Sequence, residues 1–296
     1  MKEKLSYAIQ HWNLSDVEII YEEAEKAVYS ASSLDFGEVI LKVNQNIRQL
    51  REEYDMLSVM NSNRLNGEQK NFCCNVWAYD EEKGMLLEER LFPGTVLREE
   101  ASLEKRILAF RQIFLNIHGE VFGDGCQTYL DWLEEICSFC EKQKDNLVLK
   151  EKQFGEYNLI AFAEQAKRIC QGFFGKYKER VLLHGDLHHD NILLREDGSY
   201  AMIDPKGVVG PEILDLPRYM MNEIDTKYTE PAKDHMRKVV RRMSETFGYP
   251  EIEVAQAYFM EVVLGNIWCM EDGEEINEEE IRIAQEILCE TEKKML

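Results

Sequence analysis

The stretch that decides the fold reads HGDLHHDN at residues 184–191, continues as ILL at residues 192–194, and ends in AMIDPKG at residues 201–207. Short apolar runs bounded by turn residues predict three buried strands in and beside this stretch, over residues 181–183, 191–194 and 200–203. A polar loop therefore lies between the first two strands, and a second carboxylate follows the third strand. We expect this arrangement to bring Asp186, Asn191 and Asp204 to one rim.

These three polar side chains form the set that phosphoryl transfer requires. One carboxylate accepts the proton of the attacking hydroxyl group, while an amide oxygen and a second carboxylate hold Mg²⁺ against the phosphates of ATP. Hard oxygen ligands suit Mg²⁺. Asn191 follows Asp186 by five positions, as in the H-R-D-x-x-x-x-N catalytic loop of kinases. We therefore assign Asp186 as the catalytic base, and Asn191 and Asp204 as ligands of Mg²⁺.

Two other interpretations of the loop stay open from these residues alone. A single H-x-D motif is also compatible with a structural turn, and Asp204 with a simple cap. The loop histidines and aspartates could instead form a hydrolytic zinc site, which usually takes three protein ligands in a fixed geometry. The three remaining histidines, at positions 11, 118 and 235, lie in no paired motif. We expect His184 to brace the loop by hydrogen bonding.

The motif H-G-D-L-H-x-x-N followed by I-D resembles that of the aminoglycoside phosphotransferases, antibiotic kinases with a protein-kinase-like fold. The continuation IDPKGVVG at residues 203–210 is most similar to the streptomycin 6-kinase and hydroxyurea phosphotransferase branch. The resemblance extends over about residues 12–225. It implies an α+β fold of two lobes, with a small β-rich nucleotide-binding lobe over residues 1–92 and a larger helical lobe over residues 93–296.

Lys42 and Glu53 are, by the same resemblance, the pair that orients the nucleotide phosphates. Lys42 lies at the end of an apolar strand predicted over residues 38–43, and the family spacing E-x-x-x-L in the following helix selects Glu53. Glu52 is the weaker alternative. A lysine on a strand is otherwise usually an edge charge, so this assignment depends on the resemblance.

The segment LLEERLFPG at residues 86–94 resembles the L-L-L-E-R-L-x-P-G segment of the streptomycin branch. In that family the segment is the hinge between the lobes and meets adenine through backbone groups, which implies a nucleotide-binding role for Glu88 and Glu89. Residues 22–27 contain no glycine, although a protein kinase carries G-x-G-x-x-G in this loop over the phosphates. The sequence therefore argues against a protein kinase.

Asp215 matches the family aspartate that steadies the catalytic loop through backbone N–H groups, although a helix N-cap would explain it equally well. Residues 205–211 contain no serine, threonine or tyrosine, and the run is too short for an activation loop. We therefore expect a constitutively active enzyme.

Helical periodicity predicts several helices beyond the hinge. The first follows a capping Ser102 and carries an apolar stripe as far as Val121. The others are predicted near residues 129–144, 156–174, 229–247, 251–271 and 277–294.

Charge and cysteine content limit the classes of function. The chain has 35 Lys and Arg against 56 Asp and Glu, a net charge of −21. This negative charge disfavours non-specific nucleic-acid binding, which depends on cationic residues. It favours cationic small molecules as partners, or serves solubility.

Eight cysteines without the paired spacing of a zinc site predict free thiols in a reducing cytoplasm. We find no signal-peptide pattern, and no apolar run approaches the roughly 18 residues of a membrane span.

The sequence thus predicts a kinase that uses ATP and Mg²⁺ to phosphorylate a hydroxyl group of a small molecule, with a streptomycin-like aminoglycoside as the first choice. We expect a cationic acceptor, bound by carboxylates from the acidic run at residues 271–280 or from the helix after Asp215. The alternatives are a metabolic kinase for choline, a sugar, an amino alcohol or hydroxyurea, and a nucleotide-binding protein without catalysis. We expect a monomer or a weak dimer that binds neither nucleic acid nor membranes.

Overall fold

The computed structural model describes residues 2–64, 72–119, 126–143, 153–154, 157–225 and 231–294. Its N-terminal part contains a five-stranded antiparallel sheet in the order β1-β2-β3-β5-β4. The strands are β1 (Leu14–Glu22), β2 (Lys26–Ser33), β3 (Gly37–Asn44), β4 (Val76–Asp80) and β5 (Met85–Glu89). Two helices accompany the sheet, α1 (Lys2–His11) and α2 (Ile47–Arg64).

A compact apolar core lies between this sheet and α1. Ala8 of α1, the adjoining Trp12, and alternate residues of β2, β3 and β5 are buried in it. The alternation arises because successive side chains of a strand point to opposite faces. Trp12 therefore joins α1 to the sheet. Helix α2 packs against β4 and β5 and so carries its glutamates to the level of β3.

The segment from residue 72 to residue 80 is divided between the two parts of the molecule. Only Val76–Asp80 joins the N-terminal sheet. Residues 72–74 instead pair with the second part of the molecule, where the Met202 N–H donates to the Phe72 carbonyl at 2.8 Å and the Cys74 N–H donates to the Met202 carbonyl at 3.1 Å. The chain therefore joins the two parts here.

The second part is mainly helical. Its helices are α3 (Leu103–Ile117), α4 (Tyr129–Lys142), α5 (Leu159–Lys176), α6 (Leu216–Asn222), α7 (Ala232–Phe247), α8 (Glu251–Glu271) and α9 (Glu278–Lys293). Small sheets complete it, with strands β6 (Pro93–Val96), β7 (Gln153–Phe154), β8 (Tyr157–Asn158), β9 (Val181–Leu183), β10 (Ile192–Arg195), β11 (Tyr200–Met202) and β12 (Val208–Gly210). The pairing orders are β11-β10-β6, β12-β9 and β7-β8.

Helix ends follow local capping chemistry. The Ser102 hydroxyl accepts the N–H of Lys105 and so caps α3 as predicted, but α3 ends at Ile117, and Val121 lies outside the described residues. Helix α5 begins at Leu159 rather than near residue 156, because Asn158 is its N-cap and accepts the N–H of Ala161. Caps of this kind satisfy backbone donors that the first turn leaves free.

The core of the second part surrounds α8, which is buried along most of its length. Among the described residues, no helix is both long and apolar enough to span a membrane. The two-lobe α+β architecture predicted from the sequence is confirmed.

A buried network of charged groups centred on Glu223 links helices of the second part of the molecule to His189, which lies in the loop at residues 184–191. Glu223, fully buried, accepts bonds from Arg106 at 3.0 and 2.6 Å and from Tyr219 at 2.8 Å. It also contacts His189 at 3.0 Å and His235 at 3.2 Å. Burial by itself would raise the pKa of Glu223, but hydrogen bonds from the two histidines and Arg106 outweigh it and hold the pKa well below its ordinary value.

We predict that Glu223→Gln destabilises the fold in a pH-dependent way. A carboxyl group whose pKa is depressed by folding contributes stability that is fully present above its unfolded pKa, about 4.3, and is lost as the pH falls toward the folded pKa. Breaking a buried pair typically costs about 3–5 kcal/mol. Urea unfolding followed by circular dichroism should show a deficit of that order at pH 7 and a smaller one at pH 3.5.

The matched control is Glu245→Gln, because Glu245 is a half-exposed carboxylate on α7 paired with Arg242. Exposed pairs contribute about 0–1 kcal/mol, so this variant should unfold almost as the unmodified chain does. A deficit for Glu223→Gln that stays constant or grows on acidification would contradict the linkage.

Candidate active site

The loop at residues 184–191, which the sequence predicts to be catalytic, is braced at both ends by hydrogen bonds. The His184 ring contacts the Ile203 carbonyl at 2.9 Å, and the His184 carbonyl accepts the Lys206 N–H at 2.7 Å. At the other end, the Asn191 side-chain amide donates to the Asp186 carbonyl at 2.9 Å. The bracing role predicted for His184 agrees with this geometry.

Asp215 fixes the first two residues of the loop through their backbone N–H groups. Its two carboxylate oxygens accept the backbone N–H groups of His184 at 2.9 Å and Gly185 at 2.8 Å, and one of them also contacts the His118 ring at 3.0 Å. The side chain makes no capping bond to α6, so the N-cap alternative does not account for it. Burial would raise the pKa of Asp215, but His118 and the loop N–H groups lower it below its ordinary value.

Gly185 is the one loop position that excludes a side chain. Its φ is +74°, in the left-handed region that favours glycine, and a Cβ there would approach Val208 and Trp132 within 2.8 and 2.9 Å. The glycine of the H-G-D motif therefore lets the loop pass close to α4 and β12.

Lys42 lies at the centre of an ionic cluster that involves both parts of the molecule. Its ammonium group hydrogen-bonds Glu53 of α2 and Asp204, and it pairs with Glu88 of β5 at 2.9 Å. Glu52, the weaker sequence candidate, pairs instead with Arg48 at 2.9 Å on the outside of α2. The structure thus brings Glu53, and not Glu52, to Lys42.

The charged groups of this cluster shift one another's pKa. Burial alone would lower the pKa of Lys42, but the attraction of Asp204, Glu53 and Glu88 together outweighs it, so the pKa lies well above its ordinary value. Burial raises the pKa of Glu53 and of Glu88 despite the adjacent ammonium group. The pKa of Asp204, by contrast, is lowered, because the attraction of Lys42 outweighs the desolvation of this carboxylate.

The contact made by the Glu88 side chain was not predicted from the sequence. We expected this residue to act through its backbone at the hinge, yet its buried carboxylate pairs with Lys42. The register explains this. Lys42 lies opposite Leu86 and Ile40 lies opposite Glu88, so Lys42 and Glu88 are diagonal neighbours on one face of the sheet, within reach of a long side chain.

A cavity of about 600 Å³ lies between the lobes, with the Lys42 cluster and Asp204 in its wall. Hinge residues, including Glu88, Glu89 and the turn at Pro93–Gly94, also line it. The Glu89 side chain is engaged elsewhere, since Arg195 of β10 donates to it at 2.7 and 3.1 Å. Glu89 therefore holds the hinge against the second lobe.

Asp204 combines exposure with backbone strain. Its side chain is 44% exposed, and its φ of +58° places a non-glycine residue in the left-handed region. Such residues typically cost about 1–3 kcal/mol and concentrate at functional sites. With Glu53 and Glu88, Asp204 forms a group whose carboxylate oxygens lie within 4.8 Å of one another, the one cluster of metal-ligating type among the described residues.

Asp186 is surrounded by cationic and imidazole groups. Its Oδ1 lies 3.5 Å from Arg218 Nε and 3.7 Å from His188 Nε2, and its Oδ2 lies 3.7 Å from Lys206 Nζ. Arg218 is held by the buried Glu261 at 2.8 Å. No local sequence pattern indicates Arg218, because this residue lies on α6, which reaches the loop only through the tertiary packing. We expected that helix to supply carboxylates to the site, and there it supplies a cation instead.

Sequence comparison identifies the family. Residues 11–273 match the sequence model described as "Aminoglycoside/hydroxyurea antibiotic resistance kinase". The chain belongs to this family. The family assignment made from the motifs is confirmed, and the chain is a kinase-like phosphotransferase. A search of the curated proteins found no match.

Solved structures of the same architecture include both antibiotic and metabolic kinases. Aminoglycoside phosphotransferase APH(4)-Ia superposes with a TM-score of 0.61 at 16% identity over 100% of each chain. Choline kinase LicA from Streptococcus pneumoniae gives 0.62 at 14% identity, covering 99% of this chain and 98% of its own. Choline kinase from Cryptosporidium parvum gives 0.65 at 13% identity, covering 100% and 96%. At these identities the likeness shows the fold alone.

The alternative of a zinc site finds no support in how this family member places its histidines. His189 faces Glu223 and stacks on Tyr219 with ring centroids 4.2 Å apart, whereas His184 turns toward Ile203. The loop histidines therefore point to different partners and share no cluster among the described residues.

The cysteines of this kinase are free thiols wherever the structure describes them. Burial raises the pKa of Cys137 to about 11 and that of Cys140 to about 12. Both thiols therefore stay protonated near neutral pH, as expected of structural cysteines.

We predict that Asp215→Asn loosens the catalytic loop. Asparagine keeps the shape but replaces one acceptor oxygen with an NH₂ group that would face a backbone N–H. Leaving a buried donor unsatisfied costs about 1–3 kcal/mol, and more where a charge is involved. We expect a lower Tm by differential scanning calorimetry and at least a tenfold lower kcat.

The control is Glu212→Gln, three residues earlier, because Glu212 is half-exposed and its nearest imidazole nitrogen, on His118, is 3.8 Å away. This variant should keep both Tm and kcat. Unchanged values in Asp215→Asn would show that the loop does not depend on this carboxylate.

Proposed function

We propose that the protein transfers the γ-phosphoryl group of ATP to a hydroxyl group of a small molecule, with an aminoglycoside of the streptomycin type as the preferred acceptor. The observation that carries the proposal is the Lys42 cluster in the wall of the interlobe cavity. A buried lysine that is held by a helix glutamate is the arrangement that orients phosphates in kinases. Proteins of the same fold have been crystallised with ADP and hygromycin B, or with AMP, which supports a nucleotide in this cavity.

The chemical step assigns one role to each end of the site. The acceptor oxygen attacks the γ-phosphorus, the bond from that phosphorus to the bridging oxygen breaks, and ADP leaves. Asp186 accepts the hydroxyl proton. A positioned base of this kind typically contributes about 10²- to 10⁴-fold to the rate.

Asp204 and Asn191 fit the ligand set of Mg²⁺. Asp204 offers a half-exposed carboxylate in the cavity wall. The Asn191 amide nitrogen is bound to the Asp186 carbonyl, which leaves its oxygen as the group for a metal. When bound, Mg²⁺ would neutralise phosphate charge, and hard oxygen donors are the ligands that it prefers.

The preference for an aminoglycoside derives from the family, whose description names aminoglycosides and hydroxyurea. Choline and ethanolamine kinases share the fold, so a metabolic amino alcohol is the second candidate. The sequence-based alternative of a non-catalytic nucleotide-binding protein is disfavoured, because Asp186, Asn191, Lys42 and Asp204 are all present in one braced site.

A cationic acceptor remains our proposal for the substrate class. The chain carries a net charge of −21, which attracts cations, although screening limits that attraction to about 8 Å at physiological salt. Desolvated carboxylates paired with guanidinium or ammonium groups would supply both affinity and position.

We predict that Asp186→Asn removes most turnover while leaving nucleotide binding intact. We expect kcat to fall by about 10²- to 10⁴-fold, since the amide cannot accept the hydroxyl proton, and the Kd of Mg-ADP to stay within about twofold. A coupled ADP-release assay over streptomycin, hygromycin B, hydroxyurea, choline and ethanolamine measures kcat, and calorimetry measures Kd.

Asp197→Asn is the control for that experiment, because Asp197 lies in the exposed turn between β10 and β11, where its carboxylate accepts hydrogen bonds from Ser199. It should behave as the unmodified chain does. Near-full kcat in Asp186→Asn with a verified acceptor would remove the residue from the role of base.

We predict that the KM of the best acceptor rises with ionic strength while kcat changes little. Salt screens the attraction between a cationic acceptor and the carboxylates that bind it, whereas the buried ionic cluster is screened much less. Steady-state kinetics between low and high KCl measure both constants. A flat KM, or a neutral compound as best acceptor, would favour a hydroxyurea-type or metabolic kinase.

A further inference from the structure

Lys206 has a fixed backbone beside the catalytic base. Its N–H donates to the His184 carbonyl at 2.7 Å, which ties it to the first residue of the catalytic loop. The next residue, Gly207, has a φ of +70°, and a Cβ there would lie 3.3 Å from the Glu52 carbonyl oxygen of α2. The backbone of Lys206, from which its side chain extends, is therefore held against both the loop and α2.

The side chain itself is long, charged and accessible. It is 39% exposed, and its ammonium nitrogen lies 3.7 Å from Oδ2 of Asp186. That pair with Asp186 is its one ion pair among the described residues. A loose pair at this distance and exposure leaves the ammonium group free to change partners.

Lys206 also joins two cavities. It lines the interlobe cavity of about 600 Å³ and a neighbouring cavity of about 370 Å³ whose wall includes Gln127, Trp132 and Gly207. Gln49 is the other residue that lines both. The Lys206 side chain therefore lies beside Asp186 and at the boundary of two neighbouring cavities.

Arg218, the other cation beside Asp186, is placed for a different purpose. It is only 14% exposed, pairs with the buried Glu261 at 2.8 Å, and lies over the Trp268 ring at 5.4 Å. One buried carboxylate and an aromatic face hold its guanidinium group where it is. Arg218 therefore positions Asp186, whereas Lys206 can move.

We propose that Lys206 is a further catalytic residue, whose ammonium group binds the γ-phosphoryl oxygens as they pass from ATP to the acceptor. This inference rests on the proposed function. A loose transition state spreads charge over three equatorial oxygens, and an ammonium group on a flexible stem can follow them.

The charge changes during the step favour this exchange of partners. As the new bond from the acceptor oxygen to phosphorus forms and the bond to the bridging oxygen of ADP breaks, Asp186 takes the hydroxyl proton and becomes neutral. Its attraction for Lys206 then falls, while the transferring group carries full negative charge. The hydroxyl proton goes to Asp186, so no further proton acceptor is needed.

The test compares a nucleotide that has a γ-phosphoryl group with one that lacks it, so no acceptor is needed. Calorimetry with Mg-AMP-PNP and Mg-ADP is applied to the unmodified chain, Lys206→Met and Lys206→Arg, after Tm has shown that each is folded. We expect Lys206→Met to weaken AMP-PNP about tenfold or more, as for a bond to a charged group, with ADP affinity within about twofold. Lys206→Arg should recover part of the loss.

Turnover provides the second measurement. With the best acceptor of the panel, kcat of Lys206→Met should fall about 10²-fold, the scale of removing one donor to a developing anion, while acceptor KM changes little. Lys105→Met is the charge control, since Lys105 is 71% exposed and its one ion pair among the described residues is a 3.4 Å contact with Glu100. It should alter none of these constants.

Two results would overturn the inference and leave the proposed function standing. One is a fall in kcat with unchanged affinity for both nucleotides, which would make Lys206 a positioning residue for Asp186. The other is an equal loss of ADP and AMP-PNP affinity, which would indicate a general effect on the cleft. If the unmodified chain binds neither Mg-nucleotide, the proposed function fails, and this inference fails with it.

Discussion

The burial of the Lys42 ammonium group among three carboxylates is the interaction on which the site depends. Glu53 comes from α2, Glu88 from β5 and Asp204 from the segment after β11, so one cation holds a helix, a strand and the second lobe in a single arrangement. Removing such charges from water is costly unless each finds its partners. The cluster therefore requires the two lobes to close to a defined distance, and the interlobe cavity is what that distance leaves between them.

Two buried carboxylates of the second lobe, Asp215 and Glu223, stabilise the loop that carries Asp186. Asp215 accepts two N–H groups of the loop, and Glu223 gathers Arg106, His189, His235 and Tyr219 beneath it. Both carboxyl groups have a pKa below the ordinary range because their partners outweigh burial. Buried hydrogen-bond networks of this kind restrict the motion of a loop, and a rigid loop would hold Asp186, the proposed base, in position before the substrates arrive.

The charges around Asp186, the proposed base, differ in sign from the net charge of the chain. A net charge of −21 suggests a site that attracts cations, yet Arg218, Lys206 and His188 all lie within 3.7 Å of the Asp186 carboxylate. Positive charge at this point suits a phosphoryl group in transfer better than it suits a cationic acceptor. The two requirements are compatible if the carboxylates that bind the acceptor lie further from the base than the cations that serve the phosphoryl group.

The sequence by itself determined the family, the two-lobe α+β architecture and the local elements, because H-G-D-x-x-x-x-N, the I-D motif and the helical stripes are short-range patterns. It also selected Glu53 over Glu52 by spacing, a choice that the position of Glu53 beside Lys42 supports. Only the tertiary structure decided that Glu88 turns its carboxylate to Lys42, since this depends on the register between β3 and β5. The same holds for Arg218 and Glu223, whose partners lie far away along the chain. Long-range pairing of charges depends on how whole elements pack, and no local pattern encodes it.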